Sequence, residues 1–247
     1  MGAIFDKTAY EWDTVVTSFE VDMFRRLKLS ALMKLHQEIG EMHLKEFGTD
    51  SNYLCDRCNV AFIFTKVAIK VHRQPLMEEK IRVRTWCSSL KGVRFTRNYV
   101  VFSENGELLT EAKGEVTTLN LQSRKIVRPR DVEEFADFLY NDQLDNSCEY
   151  PQKIEPLKAC DRKQLRPIRF SDIDYNGHVN NTVYADMVLD CLPADVLSRP
   201  IKGFEINYVN EVKPDETLEI GLSCDKDVWC FSGCVSDRVC FTVKLTF

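Results

Sequence analysis

The stretch "LSALMKLHQEIGEMHLKEFG", residues 29–48, sets Leu29, Leu32, Met33, Leu35, Ile39, Met42 and Leu44 near helical spacing and closes on Gly48. Apolar residues at that period form one buried stripe, and a glycine just past the last of them suits a helix C-cap, so a long amphipathic helix is predicted. Strand-like runs follow at about 59–72, 80–89, 92–104 and 107–121, with "ENG" (104–106) as a hairpin turn. One helix thus precedes an antiparallel meander.

The second half repeats that order. "RPIRFSDID" (166–174) reads as a strand, "NNTVYADMVLDCL" (180–192) as a helix, and "FEINYVNEV" (204–212) and "ETLEIGLSC" (216–224) as strands. In "RVCFTVKLTF" (238–247) Val239, Phe241, Val243, Leu245 and Phe247 alternate as in a half-buried strand. "KIRV" at 80–83 superposes on "TLEI" at 217–220, giving two copies of one helix-plus-sheet unit. The expected class is α+β, an internal pseudo-dimer with units at 1–130 and 158–247. The joining segment, 131–157, is acidic and carries Val132, Phe135, Phe138 and Leu139 at the spacing of one short helix.

Composition narrows the function. The 247 residues have a net charge of −5 and a pI near 5.5, which argues against nucleic acid or an anionic membrane as partner. No apolar run reads as a leader or a membrane span, and a cytoplasmic protein is expected. The ten cysteines are scattered, and the one C-x-x-C, Cys55 and Cys58, has no second pair or histidine to complete a metal site. Neither metal nor cofactor is expected. Phosphate loops and the G-x-S-x-G elbow are missing, and His36 and His43 on the first helix read as packing or surface residues.

The repeat also serves as an internal control. Laying "VDMFRR" (21–26) on "IDYNGH" (173–178) keeps the acid, Asp22 for Asp174, but sets Phe24 against Asn176 and Arg26 against His178. The strand register puts Glu211 opposite Gln74. A polar set present in one copy only points to a single site, Asp174, Asn176, His178 and Glu211. In an extended segment the first three project to one side. Asn180 and Asn181, at a helix start, would supply backbone N–H groups for an oxyanion. Asp172 reads as framework.

The pattern D-x-N-x-H-V-N-N-x-x-Y (Asp174, Asn176, His178, Val179, Asn180, Asn181, Tyr184) resembles the acyl-acyl-carrier-protein thioesterases of plants and bacteria. The likeness extends to "SFEVD", to the first helix, to "LNLQSRKIVRPRDV" and to "EINYVNEV". It implies two tandem hotdog domains, each an antiparallel sheet around a long helix, and hydrolysis of fatty acyl thioesters on acyl carrier protein. Asp174, Asn176, His178 and Glu211 match the catalytic positions. Plant members carry a cysteine after the acid; here Val212 stands there, so the carboxylates must carry the chemistry. Two routes are open: Asp174 attacks to form an anhydride, or Glu211 with His178 activates water. The first unit, which lacks the polar set, would hold the acyl chain, with Met33, Ile39 and Trp86 as candidate lining. Arg124, Lys125, Arg128, Arg130 and Lys213 would receive the acidic carrier protein. The molecule would be a monomer built as a pseudo-dimer, or a homodimer. The rival readings are a hotdog acyl-CoA thioesterase, a hotdog dehydratase and a non-catalytic acyl-binding protein.

Overall fold

The computed structural model describes residues 5–6, 8–135 and 140–247. The first helix, α1, runs Leu29–Glu46. It stops where Gly48 takes φ +69°; the Gly48 N–H then bonds the Lys45 carbonyl at 3.0 Å and the Thr49 N–H the Leu44 carbonyl at 3.1 Å. That paired closure needs a left-handed residue, which glycine adopts without a side-chain clash.

Around α1 the chain forms β1 (Phe5–Asp6), β2 (Ala9–Val15), β3 (Val60–Val71), β4 (Lys80–Lys91), β5 (Arg94–Ser103), β6 (Leu108–Asn120) and β7 (Ile126–Val127). A short turn of helix, α2 (Ser51–Tyr53), bridges α1 to β3. The second half contributes β8 (Arg162–Pro167), α3 (Val183–Leu189), α4 (Ala194–Leu197), β9 (Gly203–Tyr208), β10 (Thr217–Asp225), β11 (Val228–Val235) and β12 (Arg238–Thr246). All pair antiparallel in one sheet ordered β1-β2-β4-β5-β6-β3-β9-β12-β11-β10-β8, with β7 on β6. The order reads the same from both ends once β8 is matched to β2 and β10 to β4. The two copies meet at β3 and β9, where Lys66 faces Asn207 and Lys70 faces Gly203.

The equivalence holds to single hydrogen bonds. The Val16 N–H bonds the Glu79 carbonyl at 3.0 Å, and the Ile168 N–H bonds the Glu216 carbonyl at 2.9 Å. Each copy turns with a left-handed acid, Glu78 at φ 68° and Asp215 at φ 66°. Buried residues of both copies, among them Leu32, Ile39, Val83, Met187, Val188 and Phe241, form one continuous core, and α1 lies against α3. Fully burying a leucine or isoleucine stabilises by ~1.5–3 kcal/mol, so this shared core ties the halves together.

Several sequence expectations need correction. The strand over 166–174 ends at Pro167, and Phe170–Asp172 is instead a 3₁₀ turn capped where Asp172 Oδ2 accepts the Arg169 N–H at 2.7 Å. The helix expected over 180–192 shrinks to Val183–Leu189. Asn180 Oδ1 binds the Thr182 N–H at 2.9 Å and holds the first residues in a turn, while Pro193, at the head of α4, stops α3 from running on. Strands β2 and β11 are additional to the expected ones. In the joining segment the expected helix is replaced, among the described residues, by 3₁₀ turns at Pro129–Asp131 and Glu133–Phe135. Val132 and Phe135 are buried against Leu44, Leu54 and Phe95; Phe138 and Leu139 lie outside the described residues.

Beyond those turns the segment crosses the outer face of the sheet, fastened by buried carboxylates. Glu111 accepts from the Ser147 N–H at 2.5 Å and Oγ at 2.6 Å and meets His72 Nε2 at 2.8 Å. Burial pushes the Glu111 carboxyl up, but the bonds from Ser147 and His72 outweigh it, and the group ends below its ordinary range.

Candidate functional site

The two copies build the same turn from different residues. In the first, the Asp22 N–H bonds the Arg26 carbonyl at 2.8 Å, and Asp22 Oδ1 accepts the Phe24 N–H at 2.8 Å. In the second, the Asp174 N–H bonds the His178 carbonyl at 2.9 Å, and Asp174 Oδ1 accepts the Asn176 N–H at 2.8 Å. The left-handed residue is Arg25 at φ 61° in one and Gly177 at φ 78° in the other. Residues 174–178 are therefore a tight turn, not an extended segment. Asn176 is exposed at its tip, so the expectation that three side chains project to one side does not hold. One oxygen of Asp174 is turn framework, since Asp22 makes the same bond in the copy without the polar set.

The exit from the turn is equivalent too, and what differs is the side chain it brings alongside. The Leu27 N–H bonds the Pro75 carbonyl at 2.8 Å, and the Val179 N–H bonds the Val212 carbonyl at 3.0 Å. These bonds set Gln74 beside the first turn and Glu211 beside the second, as the strand register implies. Gln74 is buried and structural, with Nε2 toward the Leu27 carbonyl and Oε1 accepting the Ile201 N–H at 3.2 Å. Glu211 is exposed instead, and its Oε2 lies 3.1 Å from His178 Nε2. The Arg26 guanidinium, at the place of His178, is turned to Asp22 and to the carbonyls of Leu197 and Arg199. At this turn, among the described residues, the second copy alone carries a histidine–carboxylate pair.

Arg124 completes the cluster. Its Nη2 donates to Glu211 Oε1 at 2.7 Å, from the loop between β6 and β7 in the first copy. Each oxygen of Glu211 therefore has a defined partner, one guanidinium and one imidazole. The sequence reading gave Arg124 to carrier-protein docking and missed this contact. Lys125, Arg128 and Lys213 are exposed, and the Arg130 side chain lies outside the described residues. Asn180 is not an available oxyanion donor: its N–H bonds the Asp172 carbonyl at 2.9 Å. The Asn181 carbonyl accepts from Tyr208 Oη at 2.9 Å, and burial pushes the Tyr208 phenol far above its usual range, keeping it a donor. Val212 is fully buried.

Between α1, the sheet and the start of the second-copy helix lies a small cleft open to solvent, with about 20 Å³ of room for a water-sized guest. Met33, His36, Phe64 and Tyr99 of the first copy and Asn181 and Tyr208 of the second line it. Of the residues expected in an acyl pocket, Met33 is there. Ile39 and Trp86 are buried elsewhere in the core and do not line it. Among the described residues no cluster of three or more His, Cys, Asp or Glu could hold a metal, and no helix is long and apolar enough to cross a membrane.

Two helix-bearing antiparallel units fused through β3 and β9, with a histidine–carboxylate pair at the turn of the second, define a double-hotdog protein of the α+β class. Residues 6–135 match the acyl-ACP thioesterase N-terminal domain and residues 154–233 the acyl-ACP thioesterase C-terminal domain. The chain belongs to the acyl-ACP thioesterase family. It is 22% identical over 230 residues to the chloroplastic oleoyl-acyl carrier protein thioesterase 2 of Arabidopsis thaliana, covering 87% of this chain and 62% of that one. It is 26% identical over 233 residues to a chloroplastic acyl-acyl-carrier-protein hydrolase of Cuphea viscosissima, covering 89% and 56%. The chain thus spans about six-tenths of the length of the curated relatives it matches. Among solved structures, an acyl-ACP thioesterase of Bacteroides thetaiotaomicron superposes with a TM-score of 0.85 at 24% identity, over 97% of both chains. The 12:0-ACP thioesterase of Umbellularia californica does so with 0.85 at 20%, over 98% of both.

Proposed function

We propose that the chain hydrolyses fatty acyl thioesters borne on acyl carrier protein and releases the free fatty acid. The observation that carries this is the His178–Glu211 pair at the turn of the second copy, braced by Arg124 of the first, with no counterpart at the equivalent turn. A carboxylate at Nε2 favours the tautomer with the proton on that nitrogen, which leaves Nδ1 free to take a proton from water. The activated water adds to the thioester carbonyl, the tetrahedral oxyanion collapses, and the thiolate of the pantetheine arm leaves and regains a proton from the imidazolium. Glu211 orients the ring and stabilises its charged form as it develops, as a carboxylate does for the histidine of a hydrolase triad. Asp174 shapes the turn that presents His178. The alternative, direct attack by Asp174 to give an anhydride, is separated by a single turnover in heavy-oxygen water. Label appearing first in a protein carboxylate would establish the anhydride; label in the fatty acid alone supports the water route.

The acidic carrier protein would dock over Lys125, Arg128 and Lys213, which stand exposed. The acyl chain would enter at the cleft between the copies, which must widen to admit it. Because the second copy already covers the sheet edge at β3, we propose that one chain suffices for activity. Reversing the charges of Lys125 and Arg128 should raise KM for acyl-ACP at low salt and leave a small soluble thioester unaffected. An unchanged KM would remove the docking assignment.

A further inference from the structure

The C-x-x-C of the first copy, Cys55 and Cys58, is a motif that the mechanism above does not use. Both thiols are unbridged and half-buried, on the single π-helical turn Leu54–Cys58 that follows α2. Residues three apart on a helix are surface neighbours, with Cβ atoms about 5–6 Å apart. A disulfide needs about 4 Å, so bridging the pair draws the two ends of the turn together by about 1–2 Å.

That tightening is not confined to the turn. Asn59, next along the chain, closes it in the left-handed conformation at φ 56°, and its carbonyl accepts the Leu121 N–H at 2.9 Å. Leu121 opens the loop between β6 and β7, where the Arg124 N–H bonds the Asn120 carbonyl at 2.9 Å and the Ser123 N–H bonds Asn120 Oδ1 at 2.8 Å. This loop presents Arg124, itself at φ 56°, to Glu211. An unbroken run of chain and hydrogen bonds thus joins the C-x-x-C to the guanidinium that braces the carboxylate. A dithiol and its disulfide are two discrete states, the kind of element through which one site biases another.

We propose that Cys55 and Cys58 are a redox-modification site: the pair exchanges with a small disulfide such as oxidised glutathione, and the bridge it forms shifts the Arg124 loop and weakens the brace. One thiolate attacks the external disulfide and the second displaces the mixed intermediate. One Cys55–Cys58 bond forms, one external S–S bond breaks, and the two thiols released carry off the two protons. The consequence for turnover rests on the reading of the chain as a thioesterase. Burial, with the carboxylates of Asp56 and Glu41, pushes the Cys55 thiol up, so exchange at neutral pH is slow and the protein is equilibrated before assay.

The test incubates wild type, Cys58→Ser and Arg124→Met with reduced or with oxidised glutathione and maps the cysteines by peptide mass. It then measures kcat and the hydrogen exchange of residues 120–125 in each state. Oxidised wild type should carry the Cys55–Cys58 bridge, exchange about tenfold faster over that loop and lose about tenfold in kcat, the scale set by misalignment of a catalytic group, all restored by dithiothreitol. Cys58→Ser, which cannot bridge, should show neither change. Arg124→Met, already without the brace, should bridge and lose no further kcat. Mixed disulfides with glutathione in place of the bridge, a bridge that leaves kcat of an active enzyme unaltered, or an equal loss of kcat in Cys58→Ser overturns the inference. If wild type hydrolyses no acyl thioester in either state, the thioesterase reading fails and the loop still decides the site: a bridge with faster exchange upholds it, and unaltered exchange overturns it.

Discussion

Replacing Arg124 with Met removes one of the two groups that hold Glu211. The pair is close, 2.7 Å, but its side chains are 54% and 39% exposed. An ion pair that wet contributes at most about 1 kcal/mol to stability, or roughly 2–4 °C in Tm for a chain of this size. Its effect on the site is larger. With Oε1 released, the carboxylate can rotate away from His178, and loss of alignment in a catalytic group costs about ten- to a hundredfold in rate, that is ~1.4–2.7 kcal/mol of transition-state stabilisation. The assay is steady-state hydrolysis of an acyl-ACP and of the same acyl group on N-acetylcysteamine, which has no carrier protein to dock. Arg124→Met should lower kcat about tenfold on both, and Arg124→Lys should recover part of it as a single-point donor. If kcat holds on both and only KM for acyl-ACP rises, Arg124 is a docking residue and the bracing of Glu211 is irrelevant to turnover.

His36, neutral when folded down to about pH 3 and near 6.5 when unfolded, adds an acid sensitivity. Below pH 6.5 the unfolded chain binds a proton that the folded chain refuses, so stability is full above that pH and declines as pH falls toward 3. Between pH 7 and 5, wild type should lose about 2 kcal/mol more than His36→Leu in urea melts; equal losses would show that the ring is not buried as described. Gly233→Ala should cost ~1–3 kcal/mol, because its Cβ would lie 2.0 Å from the Phe241 ring, which is itself fully buried; a neutral effect on the melting curve would mean that the ring has room to move. Gly177→Ala should cost only about 1 kcal/mol, since Arg25 adopts the same left-handed conformation in the other copy and nothing lies within 4 Å of the new Cβ. A loss of several kcal/mol in calorimetry would contradict that equivalence.

The sequence carried the repeat and, through it, the pairing of Gln74 with Glu211, because strand register transmits position faithfully over many residues. Strand β2 is legible in the alternation of Tyr10 and Trp12 with Glu11 and Asp13. The shape of residues 174–178 was harder, since alternation describes an extended chain, whereas Gly177 at positive φ and the Asp174–His178 backbone bond fold the segment into a turn. The length of α3 depended on how Asn180 disposes of its neighbours' hydrogen bonds, a local competition that helical periodicity does not register. Arg124 could not be placed because its partner lies 87 residues away and on the other copy. His36 sits on the helix face of Met33, where spacing shows a stripe but not the cavity that one side of it lines.

The central claim is that the turn and dyad of the second copy hydrolyse acyl thioesters. The most direct measurement is fatty-acid release from purified acyl-ACP by wild type, His178→Ala and Glu211→Gln, with folding of each checked by its melting curve. The account predicts steady release by wild type, a loss of about a hundredfold or more in kcat for His178→Ala, the scale on which a positioned general base acts, and a smaller loss for Glu211→Gln. Release by His178→Ala at the wild-type rate, or none by folded wild type, would contradict it.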